Sequence, residues 1–220
     1  MAALYIVATP IGNLEDITLR ACRILREVDI VVAEDTRQTK KLLSHLELHK
    51  PLISLHKFSQ DQSINRVLSL LQEGKNIAYV VDAGTPGISD PGAYLVQKAL
   101  EKTISIVPIP GPSALTALLS VAGIPTDKFL FLGFLPRKKG RKAVFAAIEQ
   151  SPYPVAFFES PYRIIATLQE LQALGTFYCV VGRELTKKFE HIYRGTIPEV
   201  ITQITQDKVK GEFTVLVRKQ

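Results

Sequence analysis

VVDAGTPGISDPG, residues 80–92, is the stretch from which the fold of this chain can be predicted. The apolar run 77–81 leading into it is rich in β-branched and aromatic residues, which is typical of a strand buried on both faces. Three glycines and two prolines follow, so the loop is stiff and its backbone can approach a ligand closely. Residues 92–100 then have helical spacing, with Asp90 as the expected N-cap and Pro91 in the first turn. Open α/β sheets bind ligands in such loops at the carboxyl ends of strands, although a tight connection without a ligand has the same composition.

The same succession of strand, loop and helix is predicted for the rest of the first half. Apolar runs at 4–8, 29–33 and 104–109 are strands, and the loops 9–13 and 110–114 that follow two of them are rich in Gly, Pro and Ser. Alternating strands and helices predict a mostly parallel sheet.

A domain boundary is predicted at Gly123-Ile124-Pro125, which divides the chain into domains 1–122 and 123–220. The closing segment 210–217 has the alternation of a hairpin strand, so the second sheet is expected to be mixed. The predicted fold class is α/β with two domains.

The composition sets limits on the function. The chain has 220 residues, 46% of them hydrophobic, and a formal net charge of +6, which permits an anionic partner without requiring one. Its only cysteines, Cys22 and Cys179, have no metal-type spacing, and no apolar run has the length of a membrane span. We therefore expect a cytoplasmic protein with neither a metal nor a membrane partner.

Two charged segments are candidates for contacts with a substrate. Glu34, Asp35 and Arg37 follow the second strand, where they could orient a substrate or act in acid/base chemistry, or form a salt bridge that caps the next helix. The run 135–142 carries five cations around a glycine directly after a predicted strand, which makes it a candidate for phosphate contacts as well as a solvated face. His56 is interpreted as a loop histidine that could touch a substrate.

Several common motifs are missing from the sequence. It has no GxGxxG after the first strand, no P-loop, no GxSxG and no HExxH, which argues against a conventional dinucleotide site and a P-loop NTPase. The strand-end loops that remain, with acids among them, predict a backbone-lined pocket for a small polar cofactor.

Seven blocks of the sequence, in order, resemble the signature segments of the tetrapyrrole methylase superfamily, and more narrowly its branch of small-subunit ribosomal RNA cytidine 2′-O-methyltransferases. The first-loop segment Thr9-Pro10-Ile11-Gly12 replaces the glycine-rich loop of the tetrapyrrole-modifying branch, which favours the ribosomal branch. The blocks are 4–13 (LYIVATPIGN), 33–37 (AEDTR), 82–92 (DAGTPGISDPG), 110–114 (PGPSA), 158–163 (FESPYR), 183–187 (RELTK) and Gly211-Glu212.

The resemblance implies a homodimer of two-domain α/β chains that binds S-adenosyl-L-methionine in the cleft between domains and methylates a cytidine ribose of 16S rRNA in the decoding region of the small ribosomal subunit. It also assigns the cofactor contacts to loops of both halves. The cofactor-binding residues implied in this way are Pro10, Ile11, Asp82, Gly84, Thr85, Ile88, Ser113, Ala114, Phe158, Leu185 and Gly211.

Methyl transfer from a sulfonium requires the oxygen, methyl carbon and sulfur to be held in line, and a ribose hydroxyl benefits from a general base. Asp35 or Glu34 is the expected base, and Asp82 is a weaker candidate because it could be structural. Arg37, Lys187 and the cations of 137–142 are expected to contact RNA phosphate. Two alternatives remain open: a methyltransferase of the same fold with a tetrapyrrole or other small acceptor, and an RNA-binding or assembly module without catalysis.

Overall fold

The structure is a computed structural model that describes residues 2–55, 60–207 and 209–220. For Gln60 it describes the backbone alone. It divides into two compact units, Met1–Ser113 and Ala114–Gln220. This division falls before the helix at 114–120, whereas the boundary predicted from the sequence falls after it. The domain limits 1–122 and 123–220 stay a prediction.

The first unit is built on a five-stranded sheet in which every strand pair is parallel, with the order β3-β2-β4-β1-β5. The prediction of a mostly parallel N-terminal sheet is therefore confirmed. The elements are β1 (Ala3–Val7), α1 (Leu19–Glu27), β2 (Ile30–Ala33), α2 (Thr36–His45), β3 (Leu52–Ser54), α3 (Gln60–Gln72), β4 (Ile77–Val80), α4 (Gly92–Glu101) and β5 (Ser105–Ile109).

Both faces of this sheet are covered by apolar side chains. One cluster joins Leu4 and Tyr79 to α3 and α4, and the other joins Val7 and Val80 to α1 and α2. All four residues of β4 are buried, as its unbroken apolar sequence predicts for a central strand. Because the strands are parallel, all their carboxyl ends lie at one edge of the sheet.

The helices that begin at that edge differ in their caps. Thr18 is the N-cap of α1 and accepts a hydrogen bond from the Ala21 N–H. At α4 the N-cap is Pro91, which has no side-chain cap, so the predicted cap at Asp90 is one residue too early. The strand β3 ends at Ser54, and His56 lies outside the described residues.

The second unit has a mixed five-stranded sheet with the order β6-β7-β10-β8-β9, as predicted. The β6–β7 pair is parallel and the other three pairs are antiparallel. Its elements are α5 (Ala114–Ser120), β6 (Leu130–Phe134), α6 (Arg141–Gln150), β7 (Val155–Glu159), α7 (Ile164–Gln172), β8 (Phe177–Arg183), β9 (His191–Thr196), α8 (Ile197–Gln206) and β10 (Phe213–Lys219).

One apolar cluster holds the second unit together, built from the central strands of this sheet and α6, α7 and α8. Helix α8 begins with a capping box in which Thr196 and Glu199 exchange hydrogen bonds. Among the described residues, no helix has the length and apolarity to cross a membrane, and no group of three or more His, Cys, Asp and Glu could hold a metal ion.

Candidate active site

The loops after β1 and β4 are joined by backbone hydrogen bonds at the carboxyl edge of the first sheet. Thr9 and Gly84 exchange two of them, each 3.0 Å from nitrogen to oxygen, and form an isolated antiparallel bridge. The buried hydroxyl of Thr9 also donates to the Val81 carbonyl at 3.0 Å. Two loops that are more than 70 residues apart in the sequence are therefore one rigid unit.

The loop after β5 is attached to the same unit. The Thr85 hydroxyl donates to the Pro112 carbonyl at 3.1 Å, and the Ala8 N–H donates to the Ile109 carbonyl at 3.2 Å. A Cβ on Gly111 would lie 3.0 Å from the Ala8 Cβ, so the first and third loops pack as closely as a glycine allows. The structure thus brings together the three loops that sequence analysis singled out.

Gly84 is at the centre of this junction. Its φ of +83° is in the region that favours glycine, and a Cβ there would lie 3.4 Å from the Ile11 Cγ2. Pro10 and Ile11 are buried, whereas Ile88, further along the second loop, is 45% exposed. Ser113 ends the third loop half-buried, and Ala114 begins α5.

Asp90 holds the second loop in shape. Its carboxylate accepts hydrogen bonds from the Gly87 N–H at 2.6 Å, the Gly92 N–H at 2.7 Å and the Tyr79 hydroxyl at 3.1 Å. The pKa of Tyr79 is raised above its ordinary value, mainly by burial and then by the charge of Asp90. Tyr79 therefore stays protonated and donates its hydrogen bond. Sequence analysis missed this pairing, since the acid and the tyrosine are separated by the loop they hold.

The acidic segment after β2 was predicted either to act on a substrate or to form a salt bridge that caps the next helix. The structure contains this salt bridge. Asp35 is the N-cap of α2 and accepts from the Arg37 N–H at 2.8 Å, and the Arg37 guanidinium contacts both Asp35 oxygens, the closest approach being 2.6 Å. The Arg37 side chain is otherwise exposed. These contacts favour a structural role for Asp35.

The neighbouring acids complete a negatively charged edge. Asp82 accepts from the Asp35 N–H at 3.1 Å and so joins the ends of β2 and β4. After burial and Asp90, the charges of Glu34 and Asp82 also raise the pKa of the Tyr79 hydroxyl. This edge can attract a cationic ligand and accept hydrogen bonds from ligand hydroxyl groups.

The predicted residues of the second unit have packing roles in that unit. Phe158 is half-buried, with ring centroids 5.1 Å from Phe131 and 5.4 Å from Phe134. Leu185 is buried against Gly182, and a Cβ on Gly211 would collide with the Glu184 side chain.

Lys187 is held by two carboxylates. Its Nζ lies 3.0 Å from Glu184 and 2.9 Å from Glu212, and Glu184 also accepts from the Glu212 N–H at 2.9 Å. Burial alone would lower the pKa of Lys187, but the bonds to Glu212 and Glu184 raise it. This lysine ties loop 184–190 to the start of β10, which weakens its assignment to an RNA phosphate.

A buried polar chain fixes the ends of β7 and α7. The Thr167 hydroxyl donates to Glu159 at 2.8 Å and accepts from Arg141 Nη2 at 2.9 Å, while Arg163 pairs with Glu159 at 2.6 Å. Arg141 also pairs with Glu170. One of the five cations of the basic run therefore serves the fold.

With this geometry established, comparison with known proteins decides the family. Residues 3–201 match the family model described as Tetrapyrrole (Corrin/Porphyrin) Methylases. The chain belongs to the tetrapyrrole methylase family. It is thus a methyltransferase of a family that uses S-adenosylmethionine, as the resemblance in its sequence implied.

Several curated relatives of this tetrapyrrole methylase carry the name "Ribosomal RNA small subunit methyltransferase I". The relative from Thermotoga maritima is 44% identical over 218 residues, which cover 99% of this chain and 98% of the relative. The relative from Escherichia coli O157:H7 is 46% identical over 97% of this chain and 77% of its own length. The relative from Bacillus subtilis is 45% identical over 99% of this chain and 75% of its own length.

Solved structures agree with the fold. A diphthine synthase covers 100% of this chain and 91% of its own with a TM-score of 0.78 at 15% identity. A uroporphyrin-III C-methyltransferase from Thermus thermophilus, complexed with S-adenosyl homocysteine, covers 98% and 97% with a TM-score of 0.67 at 18% identity. At these identities the likeness concerns the fold alone.

Proposed function

We propose that this protein transfers a methyl group from S-adenosyl-L-methionine to the ribose 2′-oxygen of a cytidine in the decoding region of 16S rRNA. The observation that carries the proposal is the 44–46% identity, over nearly the whole chain, to relatives named for small-subunit ribosomal RNA. The first loop Thr9-Pro10-Ile11-Gly12, which differs from the glycine-rich loop of tetrapyrrole-modifying enzymes, supports the same acceptor.

The carboxyl edge of the first sheet suits the methyl donor. S-adenosylmethionine carries a sulfonium and an ammonium cation, which the charges of Glu34 and Asp82 attract. It also carries ribose hydroxyls, which donate hydrogen bonds to carboxylates. The joined loops supply a surface that needs little reorganisation on binding, with Gly84 and Thr85 at its centre and Ser113 at its end. In the second unit, the assignment of Phe158, Leu185 and Gly211 to the same donor stays a prediction.

The donor, when bound, supplies the methyl group. The protein has to position the ribose hydroxyl and remove its proton as the new oxygen–carbon bond forms. We propose Glu34 as the base, because it is a half-buried carboxylate that directly follows β2 at the carboxyl edge of the first sheet, whereas Asp35 caps α2.

We propose that a homodimer acts on the small ribosomal subunit in the cytoplasm, which analytical ultracentrifugation and fractionation can test. In the second unit, Arg141 is bonded to Glu170 and Thr167. We propose that the other cations of 137–142 contact the RNA.

Isothermal titration calorimetry with S-adenosylmethionine tests the cofactor half of the proposal. Gly84→Ala should weaken donor binding about tenfold, because the new Cβ strains the backbone and crowds Ile11 at the loop junction. Gly87→Ala is the matched control: its φ of +89° imposes the same backbone strain, but a Cβ there meets nothing within 4 Å. Equal losses in the two variants would remove the junction from the donor site.

A methyl-transfer assay tests the acceptor half. Isolated small subunits, free 16S rRNA and a porphyrin precursor are each incubated with labelled donor, and labelled RNA is digested to nucleosides. We expect label in 2′-O-methylcytidine. Label in the porphyrin alone would establish the small-acceptor alternative, and donor binding without transfer to any acceptor would refute the proposed reaction.

A further inference from the structure

The register of the second sheet brings four connecting segments to one edge. Glu159, Phe213, Arg183 and His191 are paired in a row across β7, β10, β8 and β9. β6 is parallel to β7, and its last residue, Phe134, pairs with Phe158. The segments 135–140, 160–163, 184–190 and 209–212 therefore all leave the sheet on the same side, which we call the loop edge.

The loop edge is rich in positive charge that the fold does not use. Arg137, Lys138 and Lys139 are exposed and form no salt bridge with any described residue, and the same is true of Lys210. The exposed Lys188 lies 5.8 Å from the ring centroid of Phe189 and has no carboxylate partner within the described ranges.

Most carboxylates of the loop edge are paired with cations, whereas Glu190 accepts a hydrogen bond from the Thr186 N–H and forms no salt bridge with a described residue. Glu159 is buried and pairs with Arg163 at 2.6 Å, and Glu184 and Glu212 share Lys187. Asp207, next to this edge, pairs with Arg183 at 2.6 Å. Pairing removes most of their repulsion for a polyanion, so the cations that remain dominate the field of this edge.

Two aromatic side chains are exposed among these cations. Tyr162 is 96% exposed and Phe189 is 66% exposed. Tyr162 is held out by a short turn, because its neighbours are fixed: Arg163 donates to the Leu135 carbonyl at 2.9 Å and pairs with Glu159. Leaving such rings in water is unfavourable for folding.

We propose that the loop edge binds a single-stranded segment of RNA, with Tyr162 and Phe189 stacking on bases and Arg137, Lys138, Lys139 and Lys188 contacting phosphates. Exposed aromatic rings within a field of unpaired cations are what single-stranded nucleic acid requires, whereas a duplex hides its base faces. The inference rests on the proposed function for the identity of the RNA, and it adds the surface that binds the strand.

Fluorescence anisotropy with a labelled 20-nucleotide single-stranded RNA, and with the same sequence annealed to its complement, tests this surface. Tyr162→Ala and Phe189→Ala should each weaken binding of the single strand at least about fivefold and leave duplex binding unchanged. Tyr153→Ala is the matched control, because Tyr153 is 46% exposed but precedes β7 at the opposite edge of the same sheet.

The phosphate contacts are tested by salt dependence. Each phosphate contact on a single strand contributes about 0.7 to the slope of log affinity against log salt, so the triple variant Arg137→Gln/Lys138→Gln/Lys139→Gln should lower the slope by about 2. The control triple Lys128→Gln/Arg218→Gln/Lys219→Gln makes the same change in net charge at the opposite edge and should leave it within about 0.5.

The results separate this inference from the proposed function. Equal salt slopes for the two triple variants would overturn the loop edge as the RNA surface. So would equal affinities of Tyr162→Ala, Phe189→Ala and Tyr153→Ala for the single strand. Calorimetry with S-adenosylmethionine on the same variants should be unchanged, so a protein that fails to bind the donor would count against the proposed function alone.

Discussion

Asp35, which was predicted as a base, has the contacts of a helix cap in the structure. Its carboxylate caps α2 through the Arg37 N–H and also holds the Arg37 guanidinium. Asparagine caps a helix as well as aspartate does, whereas it cannot act as a base. The isosteric variant therefore separates the two roles.

We predict that Asp35→Asn retains methyl transfer within about threefold and retains stability, while Asp35→Ala loses about 1 kcal/mol of unfolding free energy with the cap. Glu34→Gln should lower kcat about 100-fold or more, since it removes the proposed base. Single-turnover assays and urea unfolding of the three variants provide the measurement. Full turnover in Glu34→Gln, or its loss in Asp35→Asn, would reverse the assignment.

Asp90 is the residue on which the shape of the second loop depends. Asp90→Ala leaves the Gly87 and Gly92 N–H groups and the Tyr79 hydroxyl without their acceptor, which we expect to cost about 1–3 kcal/mol and to weaken donor binding. Tyr79→Phe, which removes one of the three bonds, is the control and should lose less of both. Calorimetry and urea unfolding measure the two effects, and equal donor affinity in Asp90→Ala and the unmodified protein would contradict this role.

Asp90 was predicted as a helix cap because capping patterns involve only residues that are close in the sequence. The actual N-cap is Pro91, and the carboxylate instead bridges the loop to Tyr79 on β4. The same limit applies to Lys187, whose partner Glu212 is 25 residues away and reaches it only because β8 and β10 are paired. Contacts of this kind follow from strand pairing, which no local pattern specifies.

At the scale of elements, the buried chain Glu159–Thr167–Arg141 joins β7, α7 and α6. Thr167→Val keeps the shape of the side chain but removes its hydroxyl, so Glu159 and Arg141 each lose a bond in a buried place. We expect a loss of about 1–3 kcal/mol in urea unfolding. Thr167→Ser keeps the hydroxyl, and Thr202→Val makes the same change on the exposed face of α8; both should lose less.

The loop 184–190 makes the second unit sensitive to acid. Burial would raise the pKa of Glu184, but the hydrogen bonds from Lys187 and the Glu212 N–H lower it below its ordinary value. A lowered pKa in the folded state stabilises the protein above the ordinary pKa of a glutamate, and this contribution is lost as the pH falls through the lowered value.

We therefore predict that thermal stability falls between about pH 5 and pH 3 and that Glu184→Gln reduces this fall. Circular dichroism melting curves at pH 7 and pH 3.5 provide the measurement. Glu190→Gln, in the same loop, is a control for the general effect of removing a carboxylate. A fall of unchanged size in Glu184→Gln would show that this ion pair does not contribute.

Buried strands and amphipathic helices were predictable, because a run such as 77–81 carries its own signal. Helix α6 was missed because its start combines a basic run with an N-cap at Gly140 that makes no side-chain bond. Its first residue, Arg141, also makes a cation–π contact, since the guanidinium carbon lies 4.6 Å from the Phe145 ring centroid.

At the scale of the whole molecule, the chain carries two sheets of different construction. The parallel sheet brings four strand-end loops to one negatively charged edge, and the mixed sheet brings cations and exposed rings to its loop edge. The joined loops of the first unit could be predicted from their glycines and prolines. The hydrogen bonds between these loops, and the bond from the Asp35 N–H to Asp82, could not be predicted, because they depend on the order of strands in the sheet.

Transfer of labelled methyl groups to small ribosomal subunits that lack this modification tests the central claim most directly. We predict that each subunit accepts one methyl group, that nuclease digestion and mass spectrometry place it in 2′-O-methylcytidine, and that Glu34→Gln slows the transfer. A protein that binds S-adenosylmethionine yet leaves the subunit and its RNA unlabelled would contradict the account.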